Sequence, residues 1–115
     1  MSDLDTTDAA TLRVFEALGH PLRLRMVEMM AAVDELACTT LEADLPIAKS
    51  TISYHVKILS QAGLVDVRRD GRWFHYHLRR EALATVLGEF VTTLKLPEQG
   101  LDENDGQART GAISG

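Results

Sequence analysis

Between Lys49 and Lys57 the sequence places Ser50, Thr51, Ser53 and Tyr54, and a short way downstream it places Arg68, Arg69 and Arg72. Short hydroxyl side chains approach base edges closely, and lysine or arginine neutralises phosphates, so this set has the chemistry of a reader of double-stranded nucleic acid. The formal net charge of −5 argues the other way until it is divided along the chain. Residues 1–44 carry three arginines against nine acids, and residues 81–115 carry Lys95 and Arg109 against six. Residues 45–80 carry Lys49, Lys57, Arg68, Arg69, Arg72, Arg79 and Arg80 against Asp66 and Asp70, a basic island of +5. Local charge, not the total, governs contact with a polyanion.

Other chemistry finds little support. There is no glycine-rich phosphate loop and no nucleophile paired with a base; Ser53 and His55, two apart on a helix, would not face one another. The chain is therefore read as a non-enzyme without a cofactor. Its one cysteine, Cys38, excludes an intrachain disulfide. Near a helix N-terminus it would be a candidate redox switch, with a packed, inert thiol as the plainer expectation. His75 and His77, two apart on a strand, point the same way, but a metal site needs further ligands and the basic neighbours oppose a cation. No metal is expected.

These residues need a frame. From Asp8, helical spacing of Leu12, Phe15 and Leu18 predicts a helix that Gly19 ends in the left-handed conformation. Pro21 suits the first turn of a second helix, whose apolar stripe is Leu22, Met26, Met29, Met30 and Val33. The methionines suit an adaptable core better than a ligand set. Thr39 or Thr40 is expected to cap a short third helix with Leu41 and Leu45 inward, closed by Pro46. A fourth helix runs from about Lys49 to Gln61 and stops at Gly63. It turns Ile52, Val56 and Leu59 inward and Ser50, Ser53, Tyr54 and Lys57 outward, with His55 at the edge of the buried face in a structural hydrogen bond or against a phosphate.

The period then drops to two. Val65 and Val67 alternate with charged residues, and Asp70-Gly71 reads as a type I′ turn with positive φ at both central positions. In the return strand Phe74, Tyr76 and Leu78 share one face, and Trp73, His75 and His77 the other. Helical spacing resumes at Arg80 with Leu83, Val86, Leu87, Phe90, Val91 and Leu94. The fold class is mainly α with a small β-hairpin: four helices, the hairpin, and a fifth helix. Two helices joined by the tight LPIAK connection and followed by a basic hairpin read as a winged helix-turn-helix. Residues 1–7 are expected to form a flexible N-terminus, 8–96 the DNA-binding and dimerisation domain, and 97–115 a disordered polar tail.

The segments GHPLRLRMVEMM, KSTISYHVKILSQAGLV and DGRWFHYHL together resemble the ArsR/SmtB family of bacterial winged-helix repressors, over about residues 8–96. The resemblance implies a homodimer on an operator with two-fold symmetry, repressing until an inducer releases it. Carried over by position, it puts Ser50, Thr51, Ser53, Tyr54 and Lys57 in the groove and Arg68, Arg69 and Arg72 on the wing. Two metal sites known in the family do not recur. ELACTTL has Ala37 and Thr39 where one site has Cys-x-Cys, and residues 80–96 lack His, Cys and Asp. A non-metal inducer, such as a small organic molecule at the seam of the first and fifth helices, or no inducer at all, is the better expectation.

One chain carries one reading head, whereas symmetric half-sites lie about 34 Å apart. The fifth helix is more apolar than a small domain needs to bury, which marks an interface. Leu12 and Phe15 on the first helix, with Leu83, Leu87, Phe90 and Leu94 on the fifth, are the candidate dimer seam. Two alternatives stand beside this reading: a winged-helix protein-interaction module without DNA binding, and a redox-sensing repressor based on Cys38. The lone cysteine, the acidic N-terminus and the absence of an apolar run of roughly 20 residues favour a cytoplasmic protein with no membrane partner.

Overall fold

The computed structural model describes residues 2–97, with side chains from residue 9 onward. The expected tail lies outside the described residues from position 98 on. In chain order the elements are α1 (Ser2–Leu18), α2 (Pro21–Ala31), β1 (Leu36–Ala37), α3 (Cys38–Asp44), α4 (Lys49–Gln61), β2 (Val65–Asp70), β3 (Trp73–Leu78) and α5 (Arg80–Leu94). The strands form an antiparallel sheet in the order β1-β3-β2. The fold is the mainly helical winged helix-turn-helix expected, with a third strand added.

β1 escapes a periodicity argument because two residues cannot show a period; it is defined by its pairing of Leu36 with Tyr76 and Ala37 with His75. That pairing also corrects the cap of α3. The chain enters the helix directly from the strand, so extended Ala37 is the N-cap without a side-chain hydrogen bond, and Thr39 lies inside the first turn. α1 begins at Ser2 rather than at about Asp8. Gly19 does not adopt a left-handed backbone; among the described residues positive φ occurs at Gly63 (80°), Gly71 (63°) and Lys95 (58°). A Cβ at Gly19 would instead come within 3.2 Å of the Phe15 carbonyl oxygen, and close approach is the reason for glycine there.

The chain divides into units spanning residues 1–84 and residues from 85 on. In the first, Met26, Met30, Leu41, Ile52, Leu59 and Leu64 are fully buried. On α2 the buried face is Met26, Val27 and Met30; Val33 lies past the helix end and is exposed. Ile52, Val56 and Leu59 fix the rotation of α4, since burying each contributes about 1.5–3 kcal/mol. His20 caps α2, its Nδ1 accepting the Leu22 N–H at 3.1 Å, and Pro21 follows in the first turn.

Arg80 closes the other end of α2. Its Nη2 donates to the carbonyls of Ala31 (2.8 Å) and Val33 (2.9 Å), and more weakly to Met30. Helix C-terminal carbonyls have no partner within their own helix, so a cation there satisfies them and complements the dipole. Arg80→Ala is expected to lower the unfolding free energy by about 1–2 kcal/mol, read as a lower urea midpoint with an unchanged m value.

Candidate nucleic-acid interface

α4 opens at Ala48, whose carbonyl accepts the N–H groups of Thr51 and Ile52 at 3.0 Å, and no side chain caps it. Its inner face carries Ile52, His55, Val56 and Leu59. With that face buried, the 100° rotation per residue leaves Ser50, Ser53, Tyr54 and Lys57 on the outer face. All four are exposed, Tyr54 by 61%, as is Lys49 at the first turn; Thr51 sits on the flank, half-buried. This outer strip combines hydroxyls, an aromatic ring and cations.

His55 is buried, and its partners are specific. Arg23 Nη1 lies 3.0 Å from its Nδ1, while Arg23 Nε donates to the Ala17 carbonyl at 2.6 Å and Nη2 to that of Glu16 at 3.3 Å. A guanidinium can only donate, so Nδ1 must be the acceptor and the ring neutral. The His20 ring lies 4.7 Å away and the Tyr54 ring 5.2 Å. One arginine thus ties the end of α1 to the inner side of α4, a link across 32 positions that no local motif reveals. Burial first, then the charges of His20 and Arg23, lower the His55 pKa from its ordinary 6.5. Below pH 6.5 the unfolded chain takes up a proton that the folded chain resists, so this group's stabilisation is present above 6.5 and lost as pH falls through the lowered pKa. The expected result is a folding stability that falls on acidification below pH 6.5, with a shallower slope in His55→Gln, both read by denaturant titration.

The wing is β2 and β3 with a tight turn. Asp70 pairs with Trp73, so the two connecting residues are Gly71 and Arg72. Positive φ occurs at Gly71 and not at Arg72, the pattern of a type II′ turn rather than the type I′ expected. Cross-strand pairs share a face: Arg68 sits with His75, and Arg69 with Phe74. The face bearing Val67, Phe74 and Tyr76 lines, with Ser53, Val56, Lys57, Ser60 and Gln61 of α4, an open groove of about 380 Å³. At the wing tip Arg69 Nε donates to the Gly71 carbonyl at 2.7 Å and lies over the Phe74 ring, while Arg72 lies over the Trp73 ring.

Arg68 differs from Arg69 and Arg72 in its partner. It projects to the opposite face and makes a two-point ion pair with Glu35, Nε to Oε2 and Nη2 to Oε1, both at 2.8 Å. The hydrogen bond holds the Glu35 carboxyl below the usual carboxylate range and raises the Arg68 guanidinium. Arg68 therefore braces the wing against the loop before β1. Among the described residues, Lys49, Lys57, Arg69 and Arg72 form no ion pair.

Cys38 is buried and hydrogen-bonded to the Tyr76 hydroxyl, whose pKa is raised by burial first and then by that bond. His77 Nδ1–H donates to the Asp34 carbonyl at 2.9 Å, which spends one ring of the His-x-His pair on a loop. Among the described residues, no three His, Cys, Asp or Glu side chains gather as a metal site, and no helix is long and apolar enough to cross a membrane. Of the expected seam residues in the first unit, Leu12 is 56% exposed, and Phe15 and Leu83 are half-buried. In the second, Leu87, Phe90 and Leu94 are exposed; α5 buries none of its side chains.

Comparison with known proteins places this geometry among regulators. A family model described as a helix-turn-helix domain matches residues 18–68. The uncharacterized HTH-type transcriptional regulator YceK of Bacillus subtilis (strain 168) is 33% identical over 95 residues, covering 82% of this chain and 95% of that protein. The biofilm growth-associated repressor of Agrobacterium fabrum is likewise 33% identical over 95 residues, covering 83% of this chain and 79% of that one. Among solved structures, a possible transcriptional regulator for arsenical resistance is 31% identical with a TM-score of 0.62, covering 82% of this chain and 95% of its own. An ArsR-like transcriptional regulator from Rhodococcus sp. RHA1, 22% identical, shares the fold with a TM-score of 0.68 over 78% of this chain and 83% of its own.

Proposed function

From the premise that this chain belongs to the ArsR family of winged helix-turn-helix transcriptional repressors, which bind DNA and are not enzymes, we propose that it works as a homodimer on an operator with two-fold symmetry. Ser50, Ser53, Tyr54 and Lys57 of α4 enter the major groove, with Thr51 at its flank. Lys49, Arg69 and Arg72 hold the flanking phosphates. The observation that carries this reading is the coincidence of an exposed hydroxyl-and-lysine strip with cations that no carboxylate of the described residues neutralises. Arg68 is left out because Glu35 already holds it.

The second copy is covered by the apolar faces of α1 and α5, Leu12 and Phe15 on one, Leu83, Leu87, Phe90 and Leu94 on the other. A solvent-facing helix with this many large apolar groups is the kind of surface that association buries. An effector relieves repression by binding the DNA-free protein more tightly than the DNA-bound one. A non-metal effector is favoured by the Ala37-Cys38-Thr39 sequence and by the buried, hydrogen-bonded Cys38 thiol, which also gives no support to the redox alternative.

Genomic footprinting tests the reading: the expected footprint is a symmetric operator whose half-site centres lie about one helical turn apart. On that operator Ser53→Ala should reduce specific binding more than non-specific binding. Arg69→Ala and Arg72→Ala should weaken both and flatten the salt dependence. Equal losses for all three would contradict the division into reading helix and anchoring wing. Affinity that is indifferent to salt would favour a protein-interaction module instead.

A further inference from the structure

The first turns of α3 and α4 and the wing enclose a second concavity, of about 410 Å³, lined by Ala37, Cys38, Thr39, Glu42, Lys49, Arg72, Trp73, Phe74 and His75. Its volume lies in the range of small-ligand sites. Its chemistry differs from that of the α4–wing groove. Arg72 and Lys49 are two cations in one wall set, against the single carboxylate of Glu42. Trp73 adds an aromatic ring, with the Arg72 guanidinium 5.3 Å from its centre, while Phe74, next on the strand, turns its ring to the opposite face and offers its backbone here. The apolar part of the wall is the larger. Trp73 is half exposed, so a planar ligand can reach it without unfolding the wing.

We propose that this concavity binds a small planar aromatic acid, the carboxylate held by Arg72 and Lys49 and the ring by Trp73. A metal cation would meet two positive side chains here, and a purely aliphatic acid would leave the indole uncovered. A bare phosphate would use the cations and leave the apolar wall in water. Resting on the reading above, in which Lys49 and Arg72 hold DNA phosphates, the consequence is direct competition. Acid and operator require the same two cations, so occupancy of this site releases DNA without any movement relayed from elsewhere.

Trp73 is the only tryptophan of the chain and reports on the site by itself. The test is titration of the full-length, DNA-free protein with benzoate, following Trp73 emission, with neutral benzamide and aliphatic acetate in parallel. Benzoate should change the emission saturably, with a dissociation constant in about the millimolar range or tighter for so small a probe. Benzamide and acetate should bind at least about tenfold more weakly, as should benzoate to Arg72→Ala, because the charged pair is what is lost. Lys57→Ala, in the other groove, should lose operator affinity while keeping the benzoate response. This arm separates a failure of the acid site from a failure of the DNA reading. Benzoate should also displace a labelled operator duplex from the wild-type protein over the same concentration range as the emission change. A linear, unsaturable emission change would overturn the proposal, as would equal responses to benzoate and benzamide, an undiminished response in Arg72→Ala, or saturation that leaves the operator bound.

Discussion

Leu87→Glu combined with Leu94→Glu is expected to yield a monomer in analytical ultracentrifugation and to weaken operator binding by about 10²–10⁴-fold. The two leucines are seven residues apart, two turns of α5, and are 39% and 49% exposed. They therefore share one helix face, and neither is needed to fill the core of the chain. A carboxylate at each position is tolerated by water but not by a second apolar helix. The size of the loss follows from two-headed binding: once one head is docked, the second meets its half-site at high effective concentration, and a monomer forfeits that term. Far-UV circular dichroism should be unchanged. A variant that remains dimeric, or that is monomeric yet binds the full operator undiminished, would refute the role given to α5.

Arg23→Ala is expected to cost about 2–3 kcal/mol of folding stability, because it strips donors from the Ala17 carbonyl and from the buried His55 Nδ1. For a chain of this size that corresponds to a melting temperature lower by roughly 8–15 °C. Arg23→Lys should recover little, since an ammonium cannot place separate nitrogens on the carbonyls and the imidazole at once. Below the new melting temperature, operator affinity should also fall, because Arg23 ties α1 to the inner side of α4. A stability within a few tenths of a kcal/mol of wild type would show that the bridge carries no weight.

Much of this was legible in the chain. Ile52, Val56 and Leu59 at i, i+4 and i+7 fix which side of α4 faces the core, and the outward strip follows by subtraction. Phe74, Tyr76 and Leu78 at period two announce β3, while positive φ at Gly63 marks the end of α4 as its position suggests. What escaped has physical causes. β1 is two residues long and exists through its partner. The turn at Gly71-Arg72 is set by cross-strand register, which a dipeptide signal one residue earlier does not determine. The pairing of Arg68 with Glu35 and the bridge from Arg23 to His55 join positions 33 and 32 apart, distances at which local spacing carries no information. Composition marked Arg68, Arg69 and Arg72 as equals; strand alternation separates them, placing Arg68 on one face of the wing and Arg69 on the other.

The central claim is that the outer strip of α4 and the wing tip form the DNA interface. It is tested most directly by measuring operator affinity as a function of salt, for the wild-type protein and for a variant with Lys49, Lys57, Arg69 and Arg72 all changed to glutamine. Each phosphate contact adds about −0.9 to the slope of log affinity against log salt. The account predicts a steep wild-type slope that flattens by several units in the variant, together with a loss of affinity at every salt concentration. A slope that is the same in both proteins would place the DNA elsewhere on the molecule.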